Sequence, residues 1–231
     1  ETLNIPNSVT TIGKMAFSFL TYCGDLVISE NLTTIEEGVF KYCLGLYEIE
    51  IPAKITSINS EAFTRCSSIT YLTFKGNRIS FGESAFAYCY NIMKIELPKY
   101  TTLAGPSAFA GCSNLKNITF LGNITSIADN TFSECTELFE ITLPGSIKTL
   151  GNQVFYGCQI LYSVSFLGLK GPECGTEVFG NTNVDQVSTP HNYQDLEFCQ
   201  FDIERRPSPS YYFTKSCIFS KSGIFSFSIR F

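Results

Sequence analysis

The sequence predicts an α/β repeat solenoid. In this architecture coils of 23 residues stack with short parallel β-strands on a concave face and single helical turns or irregular segments on a convex face. Three observations predict it. Phenylalanine recurs at fixed intervals, a cysteine follows most of these phenylalanines by three residues, and every interval holds a pair of apolar residues with one residue between them. Self-similarity of this kind is the signature of stacked repeats.

The phenylalanines set the length of the coil, because consecutive members are 23 residues apart except for a last interval of 24. The column comprises Phe17, Phe40, Phe63, Phe86, Phe109, Phe132, Phe155 and Phe179. Six of them precede, by three residues, the column Cys43, Cys66, Cys89, Cys112, Cys135 and Cys158. The segment 59–63, N-S-E-A-F, predicts the capped start of one helical turn around each phenylalanine.

The apolar pairs predict the strands. Ile49 with Ile51, and Ile95 with Leu97, are examples of the pattern. Successive strand residues point to opposite faces, so each pair marks a short strand with one buried face. A single coil cannot bury its own apolar side, and stacking is therefore required, with the strands paired in parallel. Helical turns are wider than strands, which predicts a stack that curves with its strands on the concave side.

A second period of 46 residues lies on top of the first. The strands end alternately at a proline, as at Pro52 and Pro98, and at a glycine turn, as at Gly76 and Gly122. Proline stops the ladder because it has no N–H group. We expect the glycines to supply a turn of positive φ.

These motifs resemble a known family. The run 51–69, I-P-A-K-I-T-S-I-N-S-E-A-F-T-R-C-S-S-I, resembles the BspA-like, or treponemal-type, leucine-rich repeats. The variant G-N-I-T-S-I at 122–127 and the segment 178–199 resemble the surface-protein sets of parasitic protists such as trichomonads. The resemblance covers about residues 1–203. It implies a right-handed leucine-rich-repeat stack. It also implies the function of the family members, which are cell-surface or secreted adhesins that bind host matrix proteins or other cells.

Composition narrows the function classes. Apolar residues make up 44% and charged residues 16% of the 231 residues, which is typical of an ordered chain. The net charge of −5 provides no basic field, so we expect no nucleic-acid partner. No run of 18 apolar residues predicts a membrane span. Residue 1 is Glu and residues 3–6 are already repeat sequence, so we expect a fragment, a mature piece or a chain without a secretory signal.

The chain divides into three predicted parts. Residues 1–179 form about eight leucine-rich repeats of 23 residues, and residues 180–203 break the period and predict a C-terminal cap. Residues 204–231 read as a linker and a tail rich in serine and aromatic residues. Docking of the tail on the cap, pairing with another chain and absence of fixed structure are all left open.

No residue pattern predicts catalysis. His191 is the only histidine, and nucleophile, phosphate-loop and H-E-x-x-H motifs are absent from the sequence. The cysteine column lacks the close spacing of zinc ligands, so we interpret it as a stack of small buried apolar residues. Cys174, Cys199 and Cys217 lie off the pattern and are the candidates for a disulfide. We therefore expect neither an enzyme nor a cofactor or metal.

A protein-binding site is predicted on the concave face, where the outward strand residues form a mixed and mildly acidic patch. A solvated sheet face is the alternative. The site residues are Glu48, Glu50, Tyr71, Thr73, Lys94, Glu96, Asn117, Thr119 and Glu140. The rigid sheet presents them with little loss of entropy on binding, and tyrosine is a frequent interface anchor.

Asn31, Asn117 and Asn123 fit the N-glycosylation pattern, which applies if the chain is secreted. Two functions follow from the whole sequence. The first is a cell-surface or secreted adhesin-type module that binds a host, matrix or surface protein. The alternative is a cytoplasmic scaffold or effector that grips a protein partner by the same face.

Overall fold

A computed structural model of the chain describes residues 2–203, and the predicted linker and tail, 204–231, lie outside this range together with Cys217. Each coil of about 23 residues contributes one strand to a face that we call the strand face. Its strands are β1 (Thr2–Asn4), β2 (Asp25–Val27), β4 (Glu48–Ile51), β6 (Tyr71–Phe74), β8 (Lys94–Leu97), β10 (Asn117–Phe120), β12 (Glu140–Leu143), β14 (Ser163–Phe166) and β16 (Gln186–Ser188). They form three parallel ladders, β1 to β6, β8 with β10, and β12 to β16, whose strands pair at the repeat spacing, as in Glu48 with Tyr71. The predicted parallel solenoid of about eight turns is thereby confirmed.

A second parallel sheet, which the sequence analysis did not predict, runs along another side of the coil. Its strands are β3 (Thr34–Ile35), β5 (Ser57–Ile58), β7 (Arg78–Phe81), β9 (Tyr100–Thr102), β11 (Ser126–Ile127), β13 (Thr149–Leu150) and β15 (Glu173–Cys174). Four of them form one ladder and three another, and an isolated parallel bridge from Leu103 to Ile127 lies between the two. The strands are short because each coil turns again within a few residues.

The segments around the core phenylalanines form the turn face, and they are not helical. Residues two before and two after each phenylalanine have φ between 51° and 73°, as at Glu61 and Arg65 around Phe63. An α-helix needs φ near about −60°, so no helical turn can form there. Within residues 2–203 the structure contains no helix, and accordingly none that could cross a membrane. The helical turns predicted for the convex face are therefore not confirmed, and the alternative, irregular segments, describes this side.

Backbone hydrogen bonds explain why turns replace the helix. The N–H of Phe40 donates to the carbonyl of Ala62 in the next coil at 2.8 Å, and the N–H of Lys41 donates within its own turn to Gly38 at 3.0 Å. Along this segment, one amide thus bonds to the next coil and the following amide bonds within its own turn. A helix would satisfy its amides internally and leave the coils without cross-links on this side. The turn face is consequently tied in register like the two sheets.

The core lies between these three sides. The phenylalanine rings stack from coil to coil with centroids 4.8–5.7 Å apart, and all except the half-buried Phe17 are almost fully shielded from solvent. This confirms that the phenylalanine column faces inward. The ring spacing is close to the strand spacing of about 4.8 Å. The rings therefore follow the coil-to-coil spacing of the strands.

Glycines serve close packing more than unusual backbone angles. Gly76 and Gly122 do not have the positive φ that we expected. Among the described residues, the glycines with positive φ are Gly38, Gly111 and Gly157. A Cβ on Gly122 would lie 2.0 Å from the carbonyl oxygen of Lys99 in the preceding coil. The glycine turns therefore mark places where two coils approach too closely for a side chain.

Residues 190–203 pack across the last coil. They contain the antiparallel pair β17 (Glu197–Phe198) and β18 (Phe201–Asp202). Phe198 is fully buried, with its ring centroid 5.1 Å from that of Phe166 and 6.2 Å from that of Phe179. A disulfide joins Cys199 to Cys174 of β15, with the two Cα atoms 5.4 Å apart. Two of the three candidate cysteines are thus bonded to each other.

Candidate protein-binding face

The nine predicted site residues lie on five consecutive strands of the strand face, β4 to β12 of that sheet. Along each strand the residues alternate, so Glu48 is exposed, Ile49 is buried and Glu50 is exposed again. All nine side chains point to solvent, and each strand is anchored by inward neighbours that belong to the core. The register brings them together on one surface, with Glu50 beside Thr73 and Glu96 beside Thr119.

Ion pairs reduce the acidity of this patch. The Nζ of Lys75 lies 2.9 Å from a carboxylate oxygen of Glu50, and the Lys94 ammonium pairs with Glu96 on the same strand. The hydrogen bond from Lys75 to Glu50 raises the pKa of the Lys75 ammonium. Two of the carboxylates that the sequence analysis assigned to an acidic patch are therefore matched by lysines.

An exposed apolar column borders the strand face and was missed by the sequence analysis. It occupies the position immediately before β4, β8 and β12, where Tyr47, Met93 and Phe139 are exposed, and continues before β14 with the half-buried Tyr162. The Tyr47 ring meets Tyr71 edge-on at 5.5 Å, and Phe139 stacks on Tyr162 at 5.7 Å. The signal was available, because the exposed members Tyr47, Met93 and Phe139 recur every 46 residues outside the buried pattern. Aromatic residues at the edge of a polar sheet are typical of protein interfaces.

A groove opens on this face between β6 and β8. The two strands lie side by side but belong to separate hydrogen-bonded sheets, whereas β4 with β6 and β8 with β10 are paired. Four of the predicted site residues line the groove, namely Tyr71, Thr73, Lys94 and Glu96. Lys75 and Lys99 complete its charged lining. The same interruption recurs between β10 and β12, one double repeat further along.

Comparison with known proteins identifies the fold. The BspA type leucine rich repeat region, in 6 copies, matches residues 1–106 and 80–205. The chain belongs to the BspA-type leucine-rich-repeat family. No curated protein matches it at a significant level. The family resemblance predicted from the repeat motif is thereby confirmed.

Two solved structures share the fold of this BspA-type chain. A leucine rich cell surface protein from Faecalibacterium prausnitzii is 23% identical with a TM-score of 0.50, over 82% of this chain and 60% of that protein. A leucine-rich repeat protein from Bacteroides ovatus is 22% identical with a TM-score of 0.51, over 80% of this chain and 66% of that protein. The chain thus spans about two thirds of the length of these relatives. At such identity the likeness shows the fold alone.

The three glycosylation candidates of the BspA-type chain differ in their surroundings, although all are exposed. The Nδ2 of Asn31 donates to the carbonyl of Asn7 at 2.9 Å, and its Oδ1 accepts a hydrogen bond from Lys54 at 2.7 Å. Asn117 lies on the strand face in β10, where a glycan would cover the predicted site. Asn123 lies in the turn after β10. Glycosylation at these positions stays a prediction.

The cysteine column is structural. The six thiols are buried, and each donates a hydrogen bond to the carbonyl of the phenylalanine in the preceding coil, at 2.9–3.6 Å. Burial raises the pKa of the Cys112 and Cys158 thiols to about 12. Thiolate is the reactive form of cysteine, so the raised pKa disfavours reaction of these two thiols with metals and oxidants. In the part of the chain that the structure describes, no group of His, Cys, Asp and Glu is placed to hold a metal ion.

Proposed function

We propose that this chain is a non-catalytic protein-binding module of a cell-surface or secreted adhesin-type protein. It binds a host, matrix or surface protein through the strand face, which we take to be the concave side of a right-handed stack. The observation that carries the proposal is the rigid, solvent-facing array of nine side chains on paired strands, with Tyr71 beside the apolar edge column. A preformed surface loses little conformational entropy on binding.

Two observations support a location outside the cytoplasm. The Cys174–Cys199 disulfide is of the kind that persists in oxidising compartments and is rare in reducing ones. The relative from Faecalibacterium prausnitzii is described as a cell surface protein. A scaffold or effector in the cytoplasm is the competing function. It predicts that Cys174 and Cys199 are free thiols in protein alkylated at the moment of cell lysis, whereas our proposal predicts a disulfide.

We also propose that residues 180–203 act as a cap for the solenoid. A stack of coils exposes its apolar side at each end and needs a covering segment there. Phe198 packs between the rings of Phe166 and Phe179 and supplies such a cover. The disulfide would then hold the covering segment on the last coil.

Binding of the full chain to a panel of purified extracellular-matrix proteins tests the proposed function. The variant Glu48→Ala/Tyr71→Ala should weaken binding about tenfold or more, because truncation of a central anchor removes most of its contribution. The matched variant Glu83→Ala/Tyr88→Ala removes the same two residue types from the turn face and should change binding less than about twofold. Equal loss of binding in both variants would reject the strand face as the site. So would the absence of binding by the wild type as well as by both variants.

A further inference from the structure

We infer that the groove between β6 and β8 receives an extended peptide segment of the partner that carries both acidic and apolar side chains. The inference rests on the proposed function and names the part of the strand face that selects the partner. It depends on three properties of the groove, which are its direction, its apolar lining and its local charge.

The direction of the groove fits an extended chain. Its lining comprises β6 with its flanks, residues 70–77, and residues of β8 and its flanks between Met93 and Lys99, so it runs parallel to the strands. A peptide in extended conformation advances about 3.3 Å per residue and presents its side chains alternately to the floor and to solvent. Such a peptide can follow the groove for its whole length, whereas a helix is about 10 Å wide and lies across several coils.

The lining contains apolar side chains that are exposed to water. Tyr71, Met93 and Leu121 are 50%, 41% and 58% exposed. Leu72 and Phe74 lie below them, Leu72 buried and Phe74 half-buried. Burial of such surface stabilises a complex by about 25 cal/mol per Å² before the costs of association. Aliphatic or aromatic side chains of a peptide are the natural occupants of these positions.

The charge of the lining is opposite to that of the protein. Lys75, Lys94 and Lys99 line the groove against one carboxylate, that of Glu96, whereas the whole chain has a net charge of −5. Lys94 pairs with Glu96, and Lys75 pairs with Glu50. Lys99 is placed over the ring of Tyr100, with its Nζ 5.2 Å from the centroid. The three lysines exceed these two carboxylates, so the carboxylates of a bound peptide would meet a small excess of positive charge centred on Lys99.

The second interruption of the sheet, between β10 and β12, provides an internal comparison. The residues 46 positions after Lys75, Lys94 and Lys99 are Leu121, Glu140 and Gly145. The break in strand pairing recurs there, but the cations do not. The two breaks in strand pairing thus differ in charge. Of the two, only the β6–β8 groove is cationic.

A peptide fits the charge better than a nucleic acid. The cationic surface comprises only three lysines, and the next strand on one side carries Glu48 and Glu50. A polyphosphate chain needs phosphate contacts along its whole length and would leave the groove over those carboxylates. An acidic peptide needs only two or three charge contacts, with apolar side chains between them.

Selection of 12-residue random peptides displayed on phage against the immobilised full chain tests the inference. We expect the selected sequences to be rich in Asp and Glu interspersed with Phe, Tyr, Leu or Met. Their synthetic peptides should lose about tenfold or more in affinity for the variant Lys94→Glu/Lys99→Glu, because two attractions become repulsions. The control Lys148→Glu/Lys170→Glu makes the same charge change at exposed lysines outside the groove and should alter affinity less than about twofold.

A further variant, Glu96→Gln, should strengthen binding of the same peptides by about two- to threefold, since it removes the one carboxylate of the lining. The inference is overturned if no peptide is enriched, if the enriched peptides are basic or uncharged, or if control and groove variants lose affinity equally. It is also overturned if a 12-nucleotide single strand displaces the peptides at lower concentration than unlabelled peptide does. If matrix-protein binding still depends on Glu48 and Tyr71 in any of these cases, the proposed function stands and only the groove assignment fails.

Discussion

The thiol of Cys66 donates a hydrogen bond to the carbonyl of Phe40, 2.9 Å away and 26 residues earlier in the chain. The same bond recurs between each cysteine of the column and the phenylalanine of the preceding coil. The Phe40 carbonyl also accepts a hydrogen bond from the N–H of Cys43 within its own turn, at 3.2 Å, so the thiol adds a second donor that links two coils. Cysteine fits because it is small and apolar enough to be buried and still carries a weak donor.

Loss of this bond should destabilise the stack. Cys66→Ala removes one of the two donors to the Phe40 carbonyl, which keeps the N–H of Cys43 at 3.2 Å, and opens a small cavity. We expect a loss of about 1–2 kcal/mol in the free energy of unfolding. Urea unfolding monitored by circular dichroism measures it. Cys23→Ala, at the border of the core in the first coils, is the control and should cost less. A loss below about 0.5 kcal/mol for Cys66→Ala would show that the thiol only fills space.

The phenylalanine stack should be the most sensitive part of the core. Phe63 is fully buried between Phe40 and Phe86, at centroid distances of 5.1 and 4.8 Å. Phe63→Ala should therefore cost about 3–5 kcal/mol through the cavity that it leaves. Phe17→Ala removes the same ring from the half-buried end of the column and should cost clearly less in the same unfolding experiment. Equal costs at both positions would contradict the burial gradient along the stack.

The sequence was sufficient for the parts of the fold that depend on periodic burial. The phenylalanine and cysteine columns and the strand pairs recur at the coil length, so stacking followed from the need to cover each coil. Charged residues were also placed correctly on the strand face, because alternation within a strand determines which side chains point outward.

The parts that the sequence did not predict depend on backbone geometry rather than on burial. The A-F segment looks helical, since alanine, glutamate and arginine favour helices, but the inter-coil bonds select left-handed φ at Glu61 and Arg65. The two-residue strands such as Ser57–Ile58 are too short to show alternation. The β6–β8 groove arises from a change in strand pairing, and no residue type marks such a change.

Residues with left-handed φ on the turn face should be positions where substitution by glycine relieves backbone strain. Ser107 has φ of 58°, which costs a residue with a Cβ about 1–2 kcal/mol. Ser107→Gly should stabilise the chain by about 1 kcal/mol in urea unfolding, because glycine adopts this region freely. Ser113→Gly, at a residue outside the left-handed set, should instead destabilise it by about 0.5–1 kcal/mol. Destabilisation by both substitutions would show that the Ser107 side chain matters more than its backbone.

The disulfide should stabilise the C-terminal end of the stack. Cys174 and Cys199 are 25 residues apart, and cross-linking a loop of this size restricts the unfolded chain by about 3 kcal/mol. Cys174→Ala/Cys199→Ala should lower the free energy of unfolding by about that amount. Reductant should lower the stability of the wild type similarly and leave the variant unchanged. Wild-type stability that does not respond to reductant, despite complete reduction, would contradict this prediction.

The buried thiols should make the fold sensitive to alkaline pH. The folded chain holds the protons of Cys112 and Cys158 up to a pKa of about 12, while an unfolded cysteine loses its proton near about pH 8.5. Above about pH 8.5 the unfolded state binds fewer protons than the folded state, so stability falls as pH rises. Between about pH 8 and about pH 10 each thiol should contribute a loss of about 1–2 kcal/mol.

Urea unfolding at these two pH values measures the loss. The variant Cys112→Ala/Cys158→Ala starts from a lower stability but should lose less of it over the same interval, because two of the titrating groups are gone. The comparison is confined to values below about pH 10, above which unfolded tyrosines titrate as well, while burial raises the pKa of Tyr193 to about 12. If wild type and variant lose stability in parallel, the alkaline sensitivity comes from groups other than the buried thiols, and the link between the cysteine column and pH is wrong.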